Sequence, residues 1–213
     1  MENAKKILGL LKKEYPDVKC YLHHGKPHEL LFATILSAQC TDERVNKVTP
    51  VLFSRYKTLK DYASADLKEL EKIIHPTGFY KQKAKYIRGS ARILLEKHKG
   101  KIPDSMEQLT ELPGVARKTA NIVLANIHGK MEGIAVDTHV FRLSHRLGLS
   151  EGKTPDKTEQ DLIKLFPRAD WDNVNLLLIA HGRAVCTARS PRCPACILKN
   201  LCPSARVFHP ELK

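Results

Sequence analysis

Between residues 186 and 202 the chain carries four cysteines, Cys186, Cys193, Cys196 and Cys202, in the spacing C-x6-C-x2-C-x5-C. Four thiolates in one short segment can close around a single metal centre and so fix the path of the surrounding backbone. Thiolate is the soft ligand that iron–sulfur clusters and zinc both favour. Structural zinc sites more often show two separated C-x2-C pairs. Here only the middle pair has that spacing, and the outer cysteines stand at unequal distances. The asymmetry favours a [4Fe–4S] cubane, which takes one thiolate per iron, over zinc or a pair of disulfides. Cys20 and Cys40 lie far from this segment and read as buried structural thiols.

The rest of the chain reads as helical. Apolar residues recur at helical spacing in Ile7–Leu11, Leu30–Leu36, Val45–Phe53, Leu67–Ile74, Tyr86–Leu95, Ile122–Ile127, Val140–Leu147, Leu162–Phe166 and Leu176–Ala180. Alternating runs are scarce, and β-branched residues do not cluster between turn signals as strands require. Glycine and proline punctuate the sequence at short intervals, so helices of ordinary length joined by tight turns are expected. The class is all-α, without a fixed-period repeat.

Charge narrows the partners. Among 213 residues, 36 Lys and Arg stand against 23 Asp and Glu, a formal balance of +13 that favours a polyanion such as DNA or RNA. The N-terminal stretch is Lys-rich and amphipathic without a signal-type apolar core, and no apolar run approaches the ~18–20 residues that span a bilayer. An intracellular protein of the cytoplasm or nucleoid, with no membrane partner and monomeric, is expected.

One turn is specific. Leu109-Thr-Glu-Leu-Pro-Gly-Val-Ala-Arg-Lys-Thr-Ala-Asn121 sets Pro113 and Gly114 between two helical segments. Ser105 and Gln108 are placed to form a capping box for the first. Pro113 stops that helix, Gly114 lets the backbone turn, and the next helix opens near Ala116 with its free N–H groups forward. Such a terminus binds phosphate through backbone amides, with Arg117 as a second partner and without reading bases. An ordinary helix–turn–helix corner is the plain alternative.

Taken in order, Ser37-Ala-Gln-Cys-Thr-Asp42, Thr77-Gly-Phe-Tyr-x-x-Lys83-Ala84, the Leu-Pro-Gly-Val-x-Arg-Lys-Thr-Ala turn, Val136-Asp-Thr-His139 and the cysteine array resemble the endonuclease III family along nearly the whole chain. These are helix-hairpin-helix DNA glycosylases with an associated lyase activity. The resemblance implies a six-helix barrel domain of residues 20–130 with the hairpin at about 105–129. It also implies an iron–sulfur domain of residues 1–19 plus 131–213 around the 186–202 loop, with DNA in the cleft between the two. The expected substrate is double-stranded DNA with damaged bases, chiefly oxidised pyrimidines, or abasic sites. A mismatch-specific adenine or thymine glycosylase and a non-catalytic iron–sulfur DNA-binding or scaffold protein are the alternatives. Ala116 occupies a hairpin position where the family pattern usually has a second glycine.

The resemblance assigns Lys118 the nucleophilic amine and Asp137 its acidic partner. By position, the helix end, Arg117 and partial burial all disfavour an ammonium at Lys118. A lysine in a first helical turn is otherwise a solvated or phosphate-binding residue. Asp137 precedes a helical stretch ended by Gly148, so an N-cap is its plain reading, and the two roles can coexist. Gln39 resembles the family's gap-filling wedge and Phe79 the apolar wedge on a second loop, although a buried aromatic at a turn reads equally well. Thr41 and Asp42 are candidate pocket residues. His139 reads as a packing or hydrogen-bonding residue. Between the first two cysteines, Arg189 and Arg192 are expected to face phosphates from a loop anchored at both ends.

Overall fold

The computed structural model describes residues 2–212, and every regular element among them is helical. No helix among the described residues is long and apolar enough to cross a membrane. The chain divides into two compact units, one of Cys20–Lys130 and one of the residues up to Lys19 together with those from Met131 onward.

In the Cys20–Lys130 unit, helix α2 (Pro27–Ser37) is buried on all sides from Glu29 to Leu36, as a central core helix must be. Pro27 fits the first turn, where its missing N–H costs nothing. The Glu29 carboxylate accepts the Gly25 and Lys26 N–H groups at 2.7 and 3.0 Å and closes that end. Thr41 caps α3 (Asp42–Arg55), Thr58 and Asp61 form a capping box on α4 (Leu59–Ala63), and Asp66 caps α5 (Leu67–Ile74). A 3₁₀ turn, His75–Thr77, leads into α6 (Tyr80–His98), against which α4 and α5 pack. The short α7 (Met106–Thr110) and α8 (Arg117–His128) pack on each other, and α8 on α2. Leu30, Leu36, Leu52, Leu70, Ile87 and Leu124 are among its fully buried side chains, each worth about 1.5–3 kcal/mol of burial.

In the other unit, α1 (Glu2–Glu14) buries Ala4, Ile7, Leu8 and Leu11 and packs on α11 (Trp171–Ala184). Lys12 pairs with Asp170 just before α11 at 2.5 Å. Helix α9 (Thr138–Arg146) packs on α11 and on α10 (Pro155–Leu165). A Cβ at Gly182 would come within 3.0–3.2 Å of His139, Arg142 and Leu143, so the small residue sets how closely α9 and α11 approach. After α11 the chain runs through the cysteine segment into α12 (Ala205–Phe208).

Candidate functional site

The hairpin rests on α6. Ser90 Oγ donates to the Pro113 carbonyl at 2.9 Å, and Gly114 turns with φ of 79°. A Cβ on Gly114 would stand 2.6 Å from Tyr86 Cδ2, so glycine is required there both for the backbone angle and for space. Ser105 Oγ accepts the Gln108 N–H at 3.4 Å, a one-sided cap where the sequence suggests a reciprocal box. Ala116 is the N-cap of α8, with an extended backbone (φ −89°, ψ 171°) that needs no glycine. No side chain caps this end, so the first-turn N–H groups are offered forward with the positive end of the helix dipole.

Arg117 and Lys118 follow directly, and both are exposed. The expected partial burial of Lys118 is therefore corrected. Helix α8 buries the face of Ala120, Asn121, Val123 and Leu124, and Lys118 lies off that stripe.

Two loops of the same unit carry the remaining candidates. Gln39, in the turn after α2, is exposed with φ of 53°; Thr41 is the exposed cap of α3, and Asp42 is half-buried in its first turn. Phe79 precedes α6 with φ of 47° and is 64% exposed, which settles against the buried-turn reading of this aromatic. Cys20 and Cys40 are only half-buried, against expectation, and Cys40 lies in the loop immediately beyond α2. Lys83, given no role by the sequence beyond its place in the Thr77–Ala84 string, is 3% exposed and donates to the carbonyls of Leu36 and Thr77, each at 2.8 Å. Its signal was a lysine in phase with the buried Ile87 and Ala91 of α6.

In the other unit, Asp137 caps α9. Its Oδ1 accepts the His139 and Val140 N–H groups, both at 2.8 Å, while Oδ2 has no hydrogen-bond partner among the described residues. The residue is half-buried, so capping leaves one carboxylate oxygen for other work. His139 Nδ1 lies 3.2 Å from Arg142 Nη2, as a hydrogen-bonding role requires.

The four cysteines of the C-terminal segment line one pocket, with Leu143, Leu147, Val185 and Ala205 among its walls and about 340 Å³ of free space counting its open mouth. Four cysteines lining one pocket supply the four soft thiolate ligands that a [4Fe–4S] cluster takes, one per iron. Burial pushes the Cys196 thiol up to about 11 and raises Cys193 and Cys202 as well. Positive charge from bound metal is what would hold them as thiolates.

The surrounding groups were not legible in sequence. Arg146 Nη1 lies 3.3 Å from Cys186 Sγ, and the same guanidinium donates to the Thr187 and Ala188 carbonyls at 2.7 Å. Arg142 donates to the Cys186 and Gly182 carbonyls. His181 Nε2 is 3.2 Å from Cys196 Sγ, and its Nδ1 is 3.0 Å from the Tyr15 hydroxyl. Burial holds His181 neutral, at about 4, so one ring nitrogen donates and the other accepts. In the intervening loop Arg189 is exposed, and Arg192 is exposed but donates to the Ala184 carbonyl at the end of α11.

An uncapped helix after a glycine turn, followed by a pocket lined by four cysteines, is the layout of a helix-hairpin-helix protein with a metal-cluster segment, and comparison supplies the family. Residues 32–168 match the HhH-GPD superfamily of base excision DNA repair proteins, and residues 186–202 match the iron–sulfur binding domain of endonuclease III. The chain is 54% identical to endonuclease III of Synechocystis sp. over 96% of its own length and 94% of that protein. With endonuclease III of Bacillus subtilis it shares 43% over 95% and 94%. A solved structure, a trapped endonuclease III–DNA covalent intermediate, superposes with a TM-score of 0.90 at 42% identity, covering 96% of this chain and 97% of that one. The chain belongs to the endonuclease III family, and is a DNA glycosylase with abasic-site lyase activity that carries an iron–sulfur centre.

Proposed function

We propose that Lys118 is the nucleophile with which this enzyme releases oxidised pyrimidines from double-stranded DNA and then cuts the strand. The carrying observation is an exposed lysine in the first turn of a helix whose N-terminus no side chain caps, immediately after the Gly114 turn. The backbone amides and Arg117 would hold a DNA phosphate and set the sugar within reach of the amine.

The amine lone pair attacks C1′, the C1′–N bond to the base breaks, and the base leaves with that electron pair and takes up a proton. The nitrogen lone pair then forms the C1′=N bond as C1′–O4′ breaks, O4′ keeps that electron pair and takes up a proton, and a protonated imine results. Loss of a C2′ proton drives the elimination that breaks the C3′–O bond and expels the 3′ phosphate. Water hydrolyses the imine and frees the amine. The free Oδ2 of Asp137 is suited to stabilise positive charge as the base departs or to accept a proton from the amine.

Gln39 and Phe79 fill the space that the extruded nucleotide vacates, with Thr41 and Asp42 bordering it. Cys186, Cys193, Cys196 and Cys202 hold a [4Fe–4S] cluster, one thiolate per iron, which fixes the loop that presents Arg189 and Arg192 to the DNA backbone. The enzyme acts as an intracellular monomer on damaged or abasic duplex DNA.

The test is release of base from a panel of duplexes, each with one lesion. Oxidised pyrimidines should be excised with strand cleavage on the 3′ side. Release of only undamaged adenine or thymine from mismatches would overturn the reading.

A further inference from the structure

Among the described residues only three non-glycine residues adopt positive φ: Gln39, Phe79 and Lys99. Lys99 is an ordinary left-handed cap that closes α6, with Gly100 N–H returning to the Leu94 carbonyl at 2.8 Å. The other two are the residues assigned above to the gap in the duplex. A left-handed phenylalanine is disfavoured in any loop and persists only where neighbouring structure over-determines it.

Lys83 is the group that both loops share. Its Nζ donates to the carbonyl of Leu36, three residues before Gln39, and to that of Thr77, two residues before Phe79, each at 2.8 Å. Its own backbone N–H donates to the Phe79 carbonyl at 3.0 Å. Leu36 lies in the last turn of α2, where carbonyls lack intrahelical partners and carry the negative end of the dipole, an environment that suits an ammonium. Burial lowers the pKa of this amine, and Cys40 nearby opposes that shift. A surface lysine with mobile contacts would not hold two loops in register; a lysine 3% exposed with both bonds internal does.

We propose that Lys83 is the positioning residue for base extrusion. It ties the loop of Gln39 to the loop of Phe79, so that both side chains stay presented to the duplex in strained backbone conformations. It has no part in the covalent chemistry. This rests on the wedge assignments of the proposed function, and it predicts a division between two steps of one reaction. Pulling a stacked base out of the duplex needs both loops in place; cutting a preformed abasic site does not.

Lys83→Met keeps the stem and removes the donors. Excision of a paired oxidised pyrimidine in a single turnover should fall about tenfold or more, the scale expected when a reacting group is displaced by a fraction of an ångström to an ångström. Cleavage and borohydride trapping on a preformed abasic duplex should stay within about threefold of the parent enzyme, since phosphate contacts and Lys118 serve that step. Fluorescence of 2-aminopurine beside the lesion should show slower unstacking in the variant, and Lys83→Arg, which keeps charge and donors, should recover part of the loss. If Lys83→Met does not accumulate as folded protein, the same division between substrates, read in Lys83→Gln, which lacks the charge and the reach to both carbonyls, decides. Equal losses on both substrates, or no loss on either, would overturn the proposal. Failure of the parent enzyme to excise or trap would instead count against the proposed function itself.

Discussion

Arg146 stands 3.3 Å from the sulfur of Cys186 and at the same time donates to the Thr187 carbonyl beside it. An arginine of α9 thus braces the first cysteine and the start of the loop that follows, from a position 40 residues away in sequence. Its planar fork makes several parallel donations that a lysine could not. Arg146→Met should leave the four cysteines in place yet release iron faster under chelation, followed by loss of visible absorbance. Cys196→Ser should lose iron outright and weaken duplex binding, whereas Cys20→Ser should do neither. Stoichiometric zinc in colourless protein would contradict the cluster assignment.

Arg189 and Arg192 are separable. Arg189→Ala should weaken binding to damaged and undamaged duplex alike and reduce the salt slope of log K by about one counterion. Arg192 also anchors the loop to the Ala184 carbonyl, so Arg192→Ala should add a loss of thermal stability that Arg189→Ala lacks. Calorimetric melting of the two variants side by side checks this.

Asp137→Asn retains the acceptor that caps α9 and removes the charge. Base release should slow by about 100-fold, as for loss of one stabilising or proton-transferring group. The melting temperature should hold, since Asn caps a helix about as well as Asp. A parallel fall in melting temperature would reduce Asp137 to a structural cap.

Stability should fall on mild acidification through His28. Its Nε2 is buried without a partner, the ring lies beside the packed pair Phe32 and Tyr62, and burial lowers its pKa from the ordinary 6.5. Below 6.5 the unfolded chain takes up a proton that the folded one refuses, so stability is complete above 6.5 and is lost as pH drops below it. His28→Phe should lessen the drop in melting temperature between neutral pH and pH of about 5.

The helical class, the hairpin turn and the cap at Asp137 were legible because each depends on neighbours in sequence: apolar period, Pro113–Gly114, and an aspartate just before a helix. Short helices such as α4 and α12 are too brief to show a period. The roles of Lys83 and Arg146 were missed because the partners of both are main-chain carbonyls far along the chain, with separations of 47 residues for Lys83 to Leu36 and 41 for Arg146 to Thr187. A carbonyl has no letter in the sequence. The burial expected of Lys118 failed for a related reason, since the buried stripe of α8 is set by what packs on it and not by nearness to the turn.

The central claim is that Lys118 forms the covalent bond to the sugar. Borohydride added during turnover on a lesion duplex should reduce the imine and fix the enzyme to DNA, and Lys118→Gln should lose both that trapped species and base release while still binding duplex. A Lys118→Gln enzyme that releases base at the parent rate without trapping would make water the nucleophile and contradict the account.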